Sequence, residues 1–186
     1  MAWSTLEPLK LRDGRVVAIR PLERCDRPLL DAAIRRLSDD SRYLRFASPQ
    51  PRITERELDH LVDVDHHAHE ALLAIDPLTA QGVGVVRYVE VSGQPGVVEL
   101  AATVADDWQG IGLGSALLVR LMQRASDEGH SAFCASVLAG NRRSIAMLRR
   151  AGFRGRRAGG VQLEYELALP ARQGVTAGSA AGGWER

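Results

Sequence analysis

The sequence predicts a mixed α/β domain, and three features carry that prediction. Apolar residues recur at helical spacing over residues 26–37 and 54–62, whereas β-branched runs dominate residues 71–105. From residue 112 onward helical and strand-like segments alternate, so a meander of strands runs into a strand–helix–strand unit. With 186 residues, the chain is long enough for one domain whose core needs neither disulfides nor metal.

Residues 16–19 form a run rich in β-branched side chains, stopped by Pro21, and read as a first strand. Over residues 26–37, Leu29, Leu30, Ala33, Ile34 and Leu37 share one face, and Arg27, Asp31, Arg35 and Arg36 take the other, as in an amphipathic helix. Asp39, Asp40 and Ser41 are expected to interrupt it, and Pro49 and Pro51 bracket a turn. Thr54 with Glu57 three residues on is a capping-box pattern that opens a second helix, with Leu58, Leu61 and Val62 on one face. Residues 71–75, 83–91 and 97–105 read as three strands, the first two antiparallel, separated by Asp76-Pro77, Gln81-Gly82 and Gln94-Pro95-Gly96. Leu113, Ala116, Leu117, Leu121 and Ala125 place a helix over residues 112–127, closed by Glu128-Gly129. Residues 132–138 are strand-like, residues 142–151 helical with Gly152 as a stop, and residues 161–169 alternate as a last strand. From Pro170 the chain turns to Gly, Ala and Ser, so residues 1–169 are expected to form the domain and residues 170–186 a flexible tail.

Composition narrows the function. Lys plus Arg number 24 against 23 for Asp plus Glu, and a net charge of +1 argues against a polycationic nucleic-acid binder. Cys25 and Cys134 stand far apart without a CxxC spacing, which speaks against a disulfide framework or a structural zinc site. Residues 1–15 lack a charged segment followed by an apolar core, and no run approaches the roughly 18 apolar residues of a membrane span. A soluble cytoplasmic protein, bound to neither membrane nor nucleic acid, is the expectation.

The sharpest local signal is Asp106-Asp107-Trp108-Gln109-Gly110-Ile111-Gly112-Leu113-Gly114, between an apolar strand and a long helix. Glycines let backbone amides approach a ligand, and the N-terminus of a helix offers unpaired N–H groups at the positive end of a dipole, so an anion such as a pyrophosphate is the expected guest. A dinucleotide fold competes for this pattern. Antiparallel strands precede the segment, however, and no acidic residue ends a following strand about 20 residues on. Walker-type chemistry fails because no Gly-Lys-Ser/Thr follows.

Gln109-x-x-Gly112-x-Gly114, then Asn141-x-x-Ser144 and Gly152-Phe153, resemble the motifs of the GNAT superfamily of acetyl-CoA-dependent N-acyltransferases, over roughly residues 16–169. The resemblance implies a GNAT fold, with a mixed, mostly antiparallel sheet, a splayed central strand pair and flanking helices. It implies that Val104 and Ala105 pair with the pantetheine arm, that Gln109, Gly110, Ile111, Gly112, Leu113, Gly114 and Ser115 hold the pyrophosphate, and that Asn141 and Ser144 approach the cofactor. The Val104 amide is the implied donor to the oxyanion formed from the thioester. Many members use a tyrosine seven residues after the Asn as general acid, and here that position is Leu148. A narrower resemblance, to Pat-type bacterial protein lysine acetyltransferases, rests on residues 37–46 and on Glu99 ten residues before Gln109, which it implies is the general base. It further implies a protein substrate such as an acyl-CoA synthetase and is compatible with a homodimer. A cyclic-nucleotide-binding module does not fit within this length.

The reaction itself asks for such a base. A lysine amine of pKa about 10.4 is protonated at neutral pH, and a carboxylate of pKa about 4.3 lies ~6 units below it, a mismatch of roughly 8 kcal/mol for direct transfer. Burial of Glu99, a lowered amine or a water relay must close that gap. Alternation puts Glu99, Ala101 and Thr103 on one face of the strand, and Leu100, Ala102 and Val104 on the other. Two other functions keep part of this pattern: acetylation of a small amine, which needs a closed polar pocket, and a non-catalytic acyl-CoA sensor, which does not need Glu99. Asp63, Asp65, His66, His67, His69 and Glu70 form a cluster, but neighbouring histidines in a strand-like segment diverge, and no metal is expected. Arg149, Arg150, Arg154, Arg156 and Arg157 read as a solvated face, while Tyr43 and Phe46 are candidates for the acceptor side.

Overall fold

A computed structural model describes residues 7–46, 53–157 and 160–170. Apart from Pro170, the expected tail lies outside the described residues. The strands are β1 (Glu7–Lys10), β2 (Val16–Pro21), β3 (His69–Asp76), β4 (Gln81–Glu90), β5 (Val97–Val104), β6 (Ala132–Leu138), β7 (Arg154–Arg157) and β8 (Gln162–Ala168). The helices are α1 (Arg27–Arg35), α2 (Asp39–Phe46), α3 (Glu55–Val62), α4 (Leu113–Asp127) and α5 (Arg142–Arg150). One sheet runs in the order β1-β2-β3-β4-β5-β6-β8-β7, with β5 and β6 parallel and every other neighbouring pair antiparallel.

Both faces of the centre are covered, which is why β3 reads as a continuous apolar run. Leu72 and Ala74 join Val86, Tyr88, Val98, Leu100 and Phe133 under α4, which contributes Leu113, Leu117 and Leu121. Ala71 and Leu73 face the opposite way and pack with Leu30 of α1 and with Leu58 and Val62 of α3. The capping box is present as read: Thr54 accepts from the Glu57 amide, and Glu57 accepts from the Thr54 amide.

Three elements depart from the sequence reading. Asp39, Asp40 and Ser41 do not merely interrupt a helix: they form the first turn of α2, where acidic side chains suit the positive helix end. The short edge strands β1 and β7 were also unexpected.

The central parallel pair is incomplete. β5 and β6 pair through Val97, Val98 and Glu99 against Ala132, Phe133 and Cys134. Beyond that point β5 stays with β4 as far as Val104, and β6 stays with β8 as far as Leu138. The two halves of the sheet therefore part at Glu99, leaving a wedge that opens toward the C-terminal ends of β5 and β6.

Candidate active site

Hydrogen-bond parity decides what lines the wedge. The Ala105 amide donates to Val83 O at 2.9 Å, and Val97 O accepts from the Val91 amide at 2.9 Å. Odd-numbered residues of β5 thus spend their backbone groups on β4, and alternation turns those of Leu100, Ala102 and Val104 toward the gap. The Ala105 carbonyl is also engaged, accepting from the Trp108 amide at 2.8 Å. Of the two residues expected to pair with pantetheine, only Val104 faces the gap. Ala102 and Leu100, which the sequence reading passed over, stand beside it.

The Gly-rich loop closes the wide end of the wedge. Gly110 (φ 80) and Gly112 (φ 100) adopt left-handed backbone that L side chains resist, which is why glycine stands at both turns. Gly112 is the N-cap of α4, and Ala116 donates the first intrahelical bond back to it at 3.0 Å. The amides of Leu113, Gly114 and Ser115 then have no acceptor in the helix, and they form the positive end of a 15-residue dipole. Gly114 also lets α4 approach β5 and α5: a Cβ there would meet Met147 Sδ at 3.2 Å and Val104 Cγ2 at 3.5 Å.

Basic side chains reinforce this end. A Cβ at position 112 would lie 3.5 Å from Arg12 Nε, so the guanidinium stem of Arg12 covers the loop, and its amide donates to Ile111 O at 3.3 Å. Arg15 stacks over Trp108 at 4.2 Å and donates to Asp107 O at 2.9 Å. Gln109 does not reach into the loop. Its Nε2 donates to Val104 O at 3.0 Å and to Ser41 Oγ at 3.1 Å, while its Oε1 accepts from Arg143. Asn141 caps α5, accepting from the Ser144 amide at 3.1 Å, so both residues serve helix geometry at the wedge's far wall.

Asp106 has a role the sequence reading missed. It accepts from the Ser38 amide (2.9 Å), Ser38 Oγ (2.8 Å) and Ser41 Oγ (2.5 Å), tying the start of α2 to the loop. Partial burial alone would raise its pKa, but the bonds from Ser41 and Ser38 outweigh that and hold it below the usual carboxylate range. Ser38-x-x-Ser41 signals only the local half of this arrangement, in which Ser38 Oγ accepts from the Ser41 amide at 3.2 Å.

Glu99 is exposed and sits at the vertex of the wedge, opposite Cys134. The Cys134 thiol is pushed up by burial and by the charge of Glu99, so it stays protonated near neutrality and is no ready nucleophile. Val89, the cross-strand partner of Glu99, lines an open groove of about 460 Å³ with His60, Asp63, His69 and Glu90. Leu148 lies in the core, 1% exposed, and carries no group that can donate a proton. The histidine and acidic cluster disperses: His66 meets Glu70 at 2.8 Å, His67 meets Glu128 at 2.9 Å, and His69 contacts Asp63 O at 3.0 Å. Among the described residues no group of three or more such side chains could hold a metal ion, and no helix is long and apolar enough to cross a membrane.

A parted parallel pair above a glycine-capped helix is the arrangement that the resemblance to GNAT acyltransferases implies, and comparison with known proteins agrees. The model of the acetyltransferase (GNAT) domain matches residues 17–154, and the chain belongs to that family. It is 34% identical to Acetyltransferase PA5475 of Pseudomonas aeruginosa over 86% of this chain and 87% of that protein. It is 30% identical to Acetyltransferase Pat of Mycolicibacterium smegmatis over 75% of this chain but 42% of that longer protein. The crystal structure of the GNAT domain of S. lividans PAT superposes with a TM-score of 0.81 at 27% identity, covering 88% of this chain and 97% of that one. The fold and the resemblance to Pat-type proteins therefore stand as read, and the family implies acetyl-CoA binding and acyl transfer.

Proposed function

We propose that the protein transfers acetyl from acetyl-CoA to an amine, foremost a lysine side chain of a protein, with Glu99 as general base. The observation that carries this reading is the position of Glu99 where β5 and β6 part, at the narrow end of a wedge whose wide end is the open helix N-terminus of α4. The residues present fit the co-substrate: amides of Leu113, Gly114 and Ser115 for pyrophosphate, with Arg12 beside them, and backbone groups of Val104, Ala102 and Leu100 for the pantetheine arm. An amide of that edge would stabilise the oxyanion as the amine attacks the thioester carbonyl. Glu99 is open to solvent, so a water relay is the available route for the amine proton. The leaving thiolate, of pKa about 8.5, takes its proton from solvent, since Leu148 offers none. A protonated Cys134 favours direct attack over an acyl-enzyme.

The open groove lined by Val89, the cross-strand partner of the exposed Glu99, supports a protein acceptor, which needs an accessible face, over a small amine enclosed on all sides. Transfer of labelled acetyl to a panel of lysine peptides and small amines tests the reading. Robust transfer to peptides supports it, transfer to small amines alone shifts it to a small-molecule enzyme, and tight acetyl-CoA binding without any transfer leaves a sensor.

A further inference from the structure

We propose that Arg45 and Arg87 form an anion subsite on the acceptor side of the sheet, which takes a carboxylate or phosphate carried by the acceptor near its reacting amine. The proposal rests on the reading of Glu99 as the base and of its face as the acceptor face. Arg87 sits in the middle of β4, 5% exposed, and Arg45 of α2 lines the same cavity. This narrow cavity is lined also by Ala101, Thr103 and Phe46 and closed by apolar side chains of α1 and α3. Its volume, about 20 Å³, is room for about one water-sized atom group, such as a single oxygen of an anion whose remainder stays outside.

Two guanidiniums facing one apolar cavity are an unusual charge arrangement. Arg87 donates to Leu61 O at 2.8 Å and approaches His69 Nε2 at 3.3 Å, yet neither contact brings a negative charge. Burial, and then the positive charge of Arg45, push the Arg87 guanidinium down to about 9, still above neutral, so the group is charged at pH 7. Burial also pushes Arg45 down, and the carboxylate that acts on it is Glu99. The His69 imidazole is pushed down by burial and by Arg87, so it stays neutral near pH 7 and brings no charge of its own to Arg87. His60, stacked on His69 at 5.6 Å between ring centres, adds no negative charge either. Two buried cations whose nearest named carboxylate, Glu99, is a diagonal neighbour of Arg87 and makes no hydrogen bond to it are costly, and an incoming anion lowers that cost while gaining charge-assisted hydrogen bonds.

Register sets the geometry. Arg87 pairs with Ala101, and Val89 pairs with Glu99, so Glu99 is the diagonal neighbour of Arg87 on the same face, about 7–8 Å away. An acceptor with its amine at Glu99 would carry its anion at about that distance. A free ω-amino acid and a lysine beside an acidic residue in a peptide both present this chemistry.

The test uses two matched acceptor pairs with the full chain: Lys-Glu against Lys-Gln peptides, and 6-aminohexanoate against its amide. The wild type should favour the anionic member of at least one pair by ~10-fold or more in kcat/KM, mainly through KM, and Arg87→Met should abolish the preference. Which pair responds identifies the source of the anion. Arg87→Met should also raise the apo melting temperature, because a buried cation is removed, whereas a purely structural arginine would lower it. Acetyl-CoA should still shift the melt of that variant, showing that it is folded, and Arg45→Gln should give the same loss of preference. No preference in the wild type, or one that survives in both variants, overturns the proposal. If no acceptor is turned over, the reading of function fails separately. Stabilisation by acetate at constant ionic strength, present in the wild type and lost in Arg87→Met, then upholds the subsite, and its absence overturns it.

Discussion

Replacing Gly112 with valine separates what the loop does for the fold from what it does for the ligand. Gly112 holds φ 100 as the N-cap of α4, where an L residue costs about 1–2 kcal/mol and a β-branched one sits at the upper end. For a domain of this size each kcal/mol corresponds to roughly 2–4 °C, so the apo variant should melt roughly 2–8 °C lower and still cooperatively. The Cβ itself makes ordinary contact, 3.5 Å from Arg12 Nε and 3.7 Å from its Cδ and Cγ, but the added methyls enter the space between the loop and Arg12. Acetyl-CoA at 100 times its dissociation constant should stabilise the wild type by ~2.7 kcal/mol, or roughly 5–11 °C. Melting curves with and without acetyl-CoA are the assay, and the variant should lose most of the ligand-induced rise. An undiminished rise in Gly112→Val would refute the assignment of this loop to phosphate.

Asp106→Asn should weaken the tether of α2 to the loop in a pH-dependent way. The folded-state pKa of Asp106 lies below its unfolded value, so its contribution is full above about pH 3.9 and fades as pH falls through the folded value. Urea unfolding at pH 7 and pH 3 should therefore show a larger wild-type advantage at the higher pH, and a constant gap would mean that ionisation plays no part. Cys134→Ala should retain turnover with no burst of acylated enzyme, because the thiol is held protonated. Loss of transfer together with a trapped acyl-cysteine in the wild type would contradict direct attack.

The parts of the fold that owe their stability to their own periodicity were legible in the sequence. β6 spans Ala132–Leu138, and α4 begins one residue after the glycine that signals it. β1 and β7 were not legible because edge strands carry little apolar alternation. Pro8 and the charged Glu7 and Lys10 suit an unpaired edge, as does the Arg-Gly-Arg-Arg of β7. α2 buries none of its eight residues fully, so it has no strong stripe, and the tether to Asp106 lies far away in sequence. The same distinction holds at the site. The left-handed glycines and the open helix terminus are local, so spacing finds them. The parting of β5 from β6, the parity that favours Ala102 over Ala105, and the meeting of Arg45 with Arg87 are relations between distant strands and helices. Only the splay was anticipated, and that through family resemblance and not from periodicity.

Glu99→Gln keeps the shape of the side chain but cannot accept a proton, so it bears most directly on the proposed chemistry. Single-turnover transfer from acetyl-CoA to a lysine peptide, followed from about pH 6.5 to 9.5 with acetyl-CoA affinity measured by calorimetry, should show a rate ~10²–10⁴-fold below wild type near neutrality. The deficit should shrink toward alkaline pH, where solvent supplies the neutral amine, and acetyl-CoA affinity should hold, because Glu99 stands at the vertex of the wedge and away from the loop. Equal rates for the two proteins across the range would remove Glu99 from the mechanism, and a parallel loss of acetyl-CoA binding would reduce it to a residue that holds β5 in place.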